Sequence, residues 1–78
     1  MATEQELLTL FKKAAWEVDQ REFDGLTLDT RIAELGVDSV ALLEIFGFVE
    51  EELDVYLPQE DLAQVKTFRD LSALIARS

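Results

Sequence analysis

Residues 34–45, "ELGVDSVALLEI", decide how this chain is read. Asp38 and Ser39 stand where a helix starts: a short polar side chain able to accept a hydrogen bond from the first turn, then an unbroken run of helix formers. Continued to Leu53 at about 100° per residue, that run has two sides. Leu42, Ile45, Phe46, Val49 and Leu53 share one arc roughly 100° wide, the width of a core-facing stripe. Val40, Leu43 and Gly47 fall on the other side, flanked by Glu44, Glu50 and Glu51. An apolar strip with a carboxylate rim, at the end where a helix begins, has the make-up of a docking surface.

Working outward, residues 3–18 read as a helix. Thr3 with Glu6 gives a capping box, and Leu7, Leu8, Phe11, Ala14, Ala15 and Val18 follow the spacing of one buried face. Trp16 lies off that face and reads as cover for the loop that follows. Residues 19–38 show no sustained period. Asp24-Gly25 is turn chemistry, and Leu26, Leu28, Ile32 and Leu35 are apolar anchors, so this is read as a long ordered loop. After the second helix, residues 39–53, Pro58 ends a connector and residues 59–63 form a short helical turn. Leu62 and Val65 of this region point inward. Thr67 and Asp70 open a last helix, residues 68–77, bearing Phe68, Leu71, Leu74 and Ile75. The expected fold is all-α: one domain, residues 1–78, of three main helices and one short helix.

Composition narrows the function. The 78 residues include 17 acids, 7 bases, no histidine and no cysteine, for a net charge of −10. A field of that sign repels nucleic acid and anionic membrane and favours partners with basic surfaces. No segment approaches the roughly 20 apolar residues of a membrane span. Without histidine or cysteine the chain lacks the usual base near neutral pH, a thiol nucleophile and the commonest soft metal ligands. No metal site and no enzymatic activity of its own are expected. "GVDSV" is not the G-x-S-x-G of a nucleophile elbow. The loop at Gly25 would place Arg31 where a calcium loop needs its last glutamate, and no phosphate-binding G-x-x-x-x-G-K occurs. Ser39, in the first turn where free N–H groups and the helix dipole favour an anion, reads as an attachment point rather than a catalyst.

"LGVDSV" followed by "ALLEIFGFVEEELDVYLP" and closed by "VKTFRDLSALI" resembles the acyl carrier protein family, over the whole chain. That family has an L-G-x-D-S-[LIV] signature at the start of its second helix, an acidic run, an I/L-P connector and a T-[VF]-x-D-L close. The resemblance implies that a phosphopantetheinyl transferase moves 4′-phosphopantetheine from coenzyme A onto Ser39, with Asp38 as the motif acid and helix cap. The imported thiol would carry acyl groups as thioesters between acyltransferase- and ketosynthase-type enzymes with basic patches. Val40, Leu43, Glu44, Gly47, Glu50 and Glu51 would be the docking face, and Ile32, Ile45, Phe46, Val49, Leu62 and Val65 would line an acyl cleft. Arg31 departs from the aromatic or apolar residue common there. "GVDSVALLEI" is closer to polyketide-type carriers than to the fatty-acid "GADSLDTVEL" pattern. The expectation is a cytoplasmic, monomeric, free-standing carrier of polyketide or fatty acid biosynthesis that binds neither nucleic acid nor membrane. An aminoacyl or peptidyl carrier, and an unmodified acidic helical adaptor, are the alternatives.

Overall fold

The computed structural model describes residues 4–77, so the Thr3 end of the first capping box lies outside the described residues. Helix α1 spans Glu4–Asp19, α2 spans Ser39–Leu53, α3 is the single turn Gln59–Leu62, and α4 spans Phe68–Arg77. The described residues contain no strand, and the all-α expectation holds. Leu7, Leu8, Phe11, Ala14 and Ala15 of α1 are buried, and α1 packs against both α2 and α4. Val18, counted on the same face, is only half-buried near the end of the helix.

Phe11 is where these elements meet. Its ring has no exposure, lies edge-on to Phe68 of α4 at 4.8 Å, and stands 6.4 Å from both Phe46 of α2 and Phe23 of the loop. Tilted and edge-on pairs favour the ring quadrupoles, so this cluster adds direction to what burial alone would give. Ile45 and Val49 of α2 and Leu71 of α4 complete the interior. Among the described residues no polar or charged side chain is buried, and the acid-rich composition therefore costs little desolvation.

The helix ends follow local chemistry. Asp70 closes the α4 cap: its carboxylate accepts from Lys66 N–H at 3.0 Å and Thr67 N–H at 3.2 Å, while Thr67 Oγ1 accepts from Asp70 N–H at 3.2 Å. Those two backbone donors hold the Asp70 carboxyl below the usual carboxylate range. Helices α1 and α2 end on non-glycine residues in the left-handed region, Gln20 at φ 50° and Asp54 at φ 53°. Exposed polar side chains tolerate that conformation better than β-branched ones.

The segment between α1 and α2 is ordered by partners that no periodicity announces. Ile32 is buried, and Phe23, Leu26, Leu28, Leu35 and Val37 pack against the core from outside. Ile32–Leu35 forms a 3₁₀ turn, absent from the sequence reading. The backbone of the loop is tied to the start of α4: Ile32 N–H donates to Lys66 O at 2.9 Å and Arg69 N–H donates to Leu28 O at 2.8 Å. The exposed Arg69–Asp29 pair, at 3.1 Å, adds a screened contact at the same seam. Trp16 stands over the loop's beginning, sharing a shallow pocket with Phe23, Lys12 and Lys13.

Glu50 does not behave as a surface acid. Its Oε2 accepts from Leu57 N–H at 2.8 Å, closing the connector beneath α2, and Leu57 itself is 3% exposed. Removing that acceptor leaves a partly buried donor unpaired. Glu50→Ala is therefore expected to lower the unfolding free energy by about 1–3 kcal/mol, whereas Glu44→Ala and Glu51→Ala stay within about 0.5 kcal/mol of wild type. Urea unfolding of the three variants at one pH measures this; equal losses for all three would contradict it.

Candidate functional site

Asp38 caps α2 and Ser39 is its first residue. Asp38 has an extended backbone (φ −69°, ψ 163°), its Oδ1 accepts from Ala41 N–H at 2.8 Å, and its carbonyl accepts the first helical bond from Leu42 N–H at 2.9 Å. Ala41 is buried, so the cap fixes the helix start against the core. The N–H groups of Ser39 and Val40 remain without a helical partner, as the first turn of any helix requires. No acidic residue lies within that turn to compete for the positive end of the dipole. The Ser39 side chain is exposed, and its hydroxyl makes no hydrogen bond among the described residues. A phosphate ester on that oxygen would lie beside unpartnered N–H groups and open solvent, an arrangement that suits it.

Two surfaces adjoin Ser39. The first is the outward strip of α2. Val40 is 68% and Leu43 44% exposed, and a side chain at Gly47 would meet nothing, so the strip is free of cover. Glu44 and Glu51 are exposed beside it. Glu50, predicted with them, is half-buried and holds the Leu57 N–H, which leaves the strip with a thinner acidic rim on that edge.

The second surface is an apolar pocket of about 240 Å³ between α2 and α3, lined by Ser39, Leu42, Leu43, Phe46, Gln59, Leu62 and Ala63. Of the six residues predicted for an acyl cleft, Phe46 and Leu62 line this pocket. Ile32, Ile45 and Val49 are instead packed in the interior at 4%, 0% and 0% exposure, and Val65 lies half-buried against the core. Leu42, Leu43, Gln59 and Ala63 were not anticipated. The signal for two of them was present in the spacing: Leu42, Leu43 and Phe46 are the i+3, i+4 and i+7 positions from Ser39, the neighbours of that side chain along one helix row. Gln59 and Ala63 come from α3 and the residue that caps its end, whose placement only the tertiary fold decides.

No helix among the described residues is long and apolar enough to cross a membrane. The family described as "Phosphopantetheine attachment site" matches residues 6–75. The tetracenomycin polyketide synthase acyl carrier protein of Streptomyces glaucescens is 41% identical over 56 residues, covering 72% of this chain and 68% of that protein. The granaticin polyketide synthase acyl carrier protein of Streptomyces violaceoruber is 38% identical over 69 residues, 88% of this chain and 81% of that one. The actinorhodin polyketide synthase acyl carrier protein of Streptomyces coelicolor is 32% identical over 75 residues, 96% and 87% of the two chains. An open serine at a capped helix start, in a chain matched almost from end to end, leads to one assignment: this protein belongs to the acyl carrier protein family, and its covalent prosthetic group is 4′-phosphopantetheine.

Proposed function

We propose that Ser39 is the residue that receives 4′-phosphopantetheine and that the chain serves a polyketide-type synthase as its acyl carrier. The observation that carries this reading is the exposed, unbonded hydroxyl of Ser39 on the first turn of α2 behind the Asp38 cap. In the attachment step the Ser39 oxygen forms a bond to the phosphorus of coenzyme A as the bond to the adenosine 3′,5′-bisphosphate leaving group breaks. The serine proton passes to a base of the transferase, because this chain has no histidine to take it. Once in place, the group supplies a terminal thiol on which acyl groups are held as thioesters, chemistry that a chain without cysteine cannot provide from its own side chains.

The residues of this chain then position and present the cargo. Asp38 keeps the attachment turn fixed through Ala41 N–H. The free N–H groups of the first turn and the dipole of α2 favour the phosphodiester. The pocket beside Ser39, at about 240 Å³, is smaller than the roughly 300–1,000 Å³ of small-molecule sites. Phe46, anchored on Phe11, forms its inner wall. This supports a carrier whose cargo rests at the mouth of the pocket rather than inside the core. Such a protein acts as a cosubstrate of other enzymes: a phosphopantetheinyl transferase first, then acyltransferase- and ketosynthase-type partners. The net charge of −10 supports a monomer that repels its own copies and is steered to basic patches.

Val40 and Leu43 with Glu44 and Glu51 form the contact face in this reading, small in area and quickly released. Loading separates the acyl from the aminoacyl carrier. The phosphopantetheine-bearing chain is expected to accept a malonyl group from an acyltransferase and no aminoacyl group from an adenylation domain. Aminoacyl loading without malonyl loading would overturn the polyketide-type reading. The contact face has its own test. Glu44→Lys and Glu51→Lys are expected to slow modification by about threefold to tenfold at low ionic strength, and the defect should shrink as salt shortens the screening length. Wild-type rates for both variants at low salt would reduce the acidic rim to a solvated face.

A further inference from the structure

Arg21 reaches across the long loop to the backbone that leads into Ser39. Its own main chain is fixed first. Gln20 N–H donates to Trp16 O at 2.9 Å, the bond that closes a helix through a left-handed residue, and Arg21 N–H donates to Ala15 O at 3.3 Å. From this anchored position Arg21 Nη1 donates to Gly36 O at 3.0 Å and Nη2 donates to Leu35 O at 3.2 Å. The guanidinium also lies 5.5 Å from the ring centroid of Phe23, and Phe23 stands 6.4 Å from Phe11. The end of α1, the core and the approach to α2 are thereby joined by one side chain.

The clamped residues are the ones that set where α2 begins. Leu35 ends the 3₁₀ turn, and Gly36 turns the chain in the left-handed region at φ 75°, where a side chain would be strained. Val37 packs against the core, Asp38 caps the helix, and Ser39 follows. The carbonyls of Leu35 and Gly36 sit at the end of a short helix, where oxygen acceptors lack helical donors. A planar fork of donors can serve two adjacent carbonyls at once; an ammonium cannot hold that geometry.

We propose that Arg21 is a positioning residue for the attachment serine. Resting on the reading of Ser39 given above, it holds the 35–38 segment in the arrangement that a modifying enzyme recognises, without touching that enzyme or the transferred group. Losing the clamp lowers the fraction of chains with a competent approach to Ser39, and apparent affinity falls by that fraction while the bound complex reacts as before.

The test combines transferase kinetics with native-state hydrogen exchange, well below the melting temperatures of all variants. Arg21→Met keeps an unbranched apolar stem and removes both donated bonds together with the guanidinium contact on Phe23. It is expected to raise the transferase's KM for the carrier about threefold to tenfold with kcat nearly unchanged, and Arg21→Lys is expected to fall between Met and wild type. Amides of Ala41 and Leu42, both bonded to Asp38, should exchange faster in Arg21→Met, while those of Ile45 and Val49 keep their wild-type protection. A wild-type KM, or exchange that quickens equally at Ile45 and Val49, overturns the proposal by leaving Arg21 a general stabiliser or nothing. If Arg21→Met does not fold, Arg21→Lys carries the test, and an unchanged KM for it is the refuting result. A wild-type chain that takes no phosphopantetheine removes the reading of Ser39 and this inference together; a modified wild type beside an unaffected Arg21→Met removes this inference alone.

Discussion

The edge-on contact between Phe11 and Phe68, with Phe46 and Phe23 gathered around the same ring, is the constraint on which the rest of the structure depends. A chain this short buries only about 60% of its unfolded surface, so a single aromatic cluster must orient several elements at once. Phe46 fixes the rotation of α2 about its axis by pointing at Phe11. Ser39 lies on the same helix row two turns earlier, at the open end where the row runs past the core. The serine is exposed at the start of that row, and Leu42, Leu43 and Phe46, which continue the row, line the pocket beside it. One packing decision thus places both the proposed attachment serine and the apolar floor next to it.

Polar groups finish what packing begins. Asp38 pins the first turn of α2 through the buried Ala41, Asp70 does the corresponding work for α4, and Glu50 secures the connector through Leu57 N–H. Each is a carboxylate meeting backbone N–H groups, which suits a protein with far more acids than bases. The remaining acids stay at the surface, where solvent screens them and where, in the proposed reading, their summed field steers basic partners. The division between acids that hold the fold and acids that face partners runs through one helix: Glu50 belongs to the first group, Glu44 and Glu51 to the second in the proposed reading.

How far the sequence carries this picture depends on how local each cause is. Helix starts were legible because Asp38, Thr67 and Asp70 act within a few residues of themselves, and the exposure of Val40 and Leu43 follows from the helix period. Glu50 could not be told from Glu51 by composition, since its partner lies seven residues on, around a turn. The 3₁₀ turn at Ile32–Leu35, its bond to Lys66 and the bond from Arg69 to Leu28 depend on segments more than thirty residues apart being brought together. Arg21, an unremarked loop residue in the sequence, finds carbonyls 14 and 15 positions away. Ile45 and Val49 read equally well as cleft or core; only the closure of the interior around them decides for core, and leaves the pocket to Leu42, Leu43 and the residues of α3.

Intact mass, taken before and after incubation with coenzyme A and a broad-specificity phosphopantetheinyl transferase, tests the central claim most directly. Wild type is predicted to gain the mass of one 4′-phosphopantetheine, and Ser39→Ala, folded by circular dichroism, to gain none. No gain on folded wild type, or an equal gain on Ser39→Ala, would contradict Ser39 as the attachment point of this carrier.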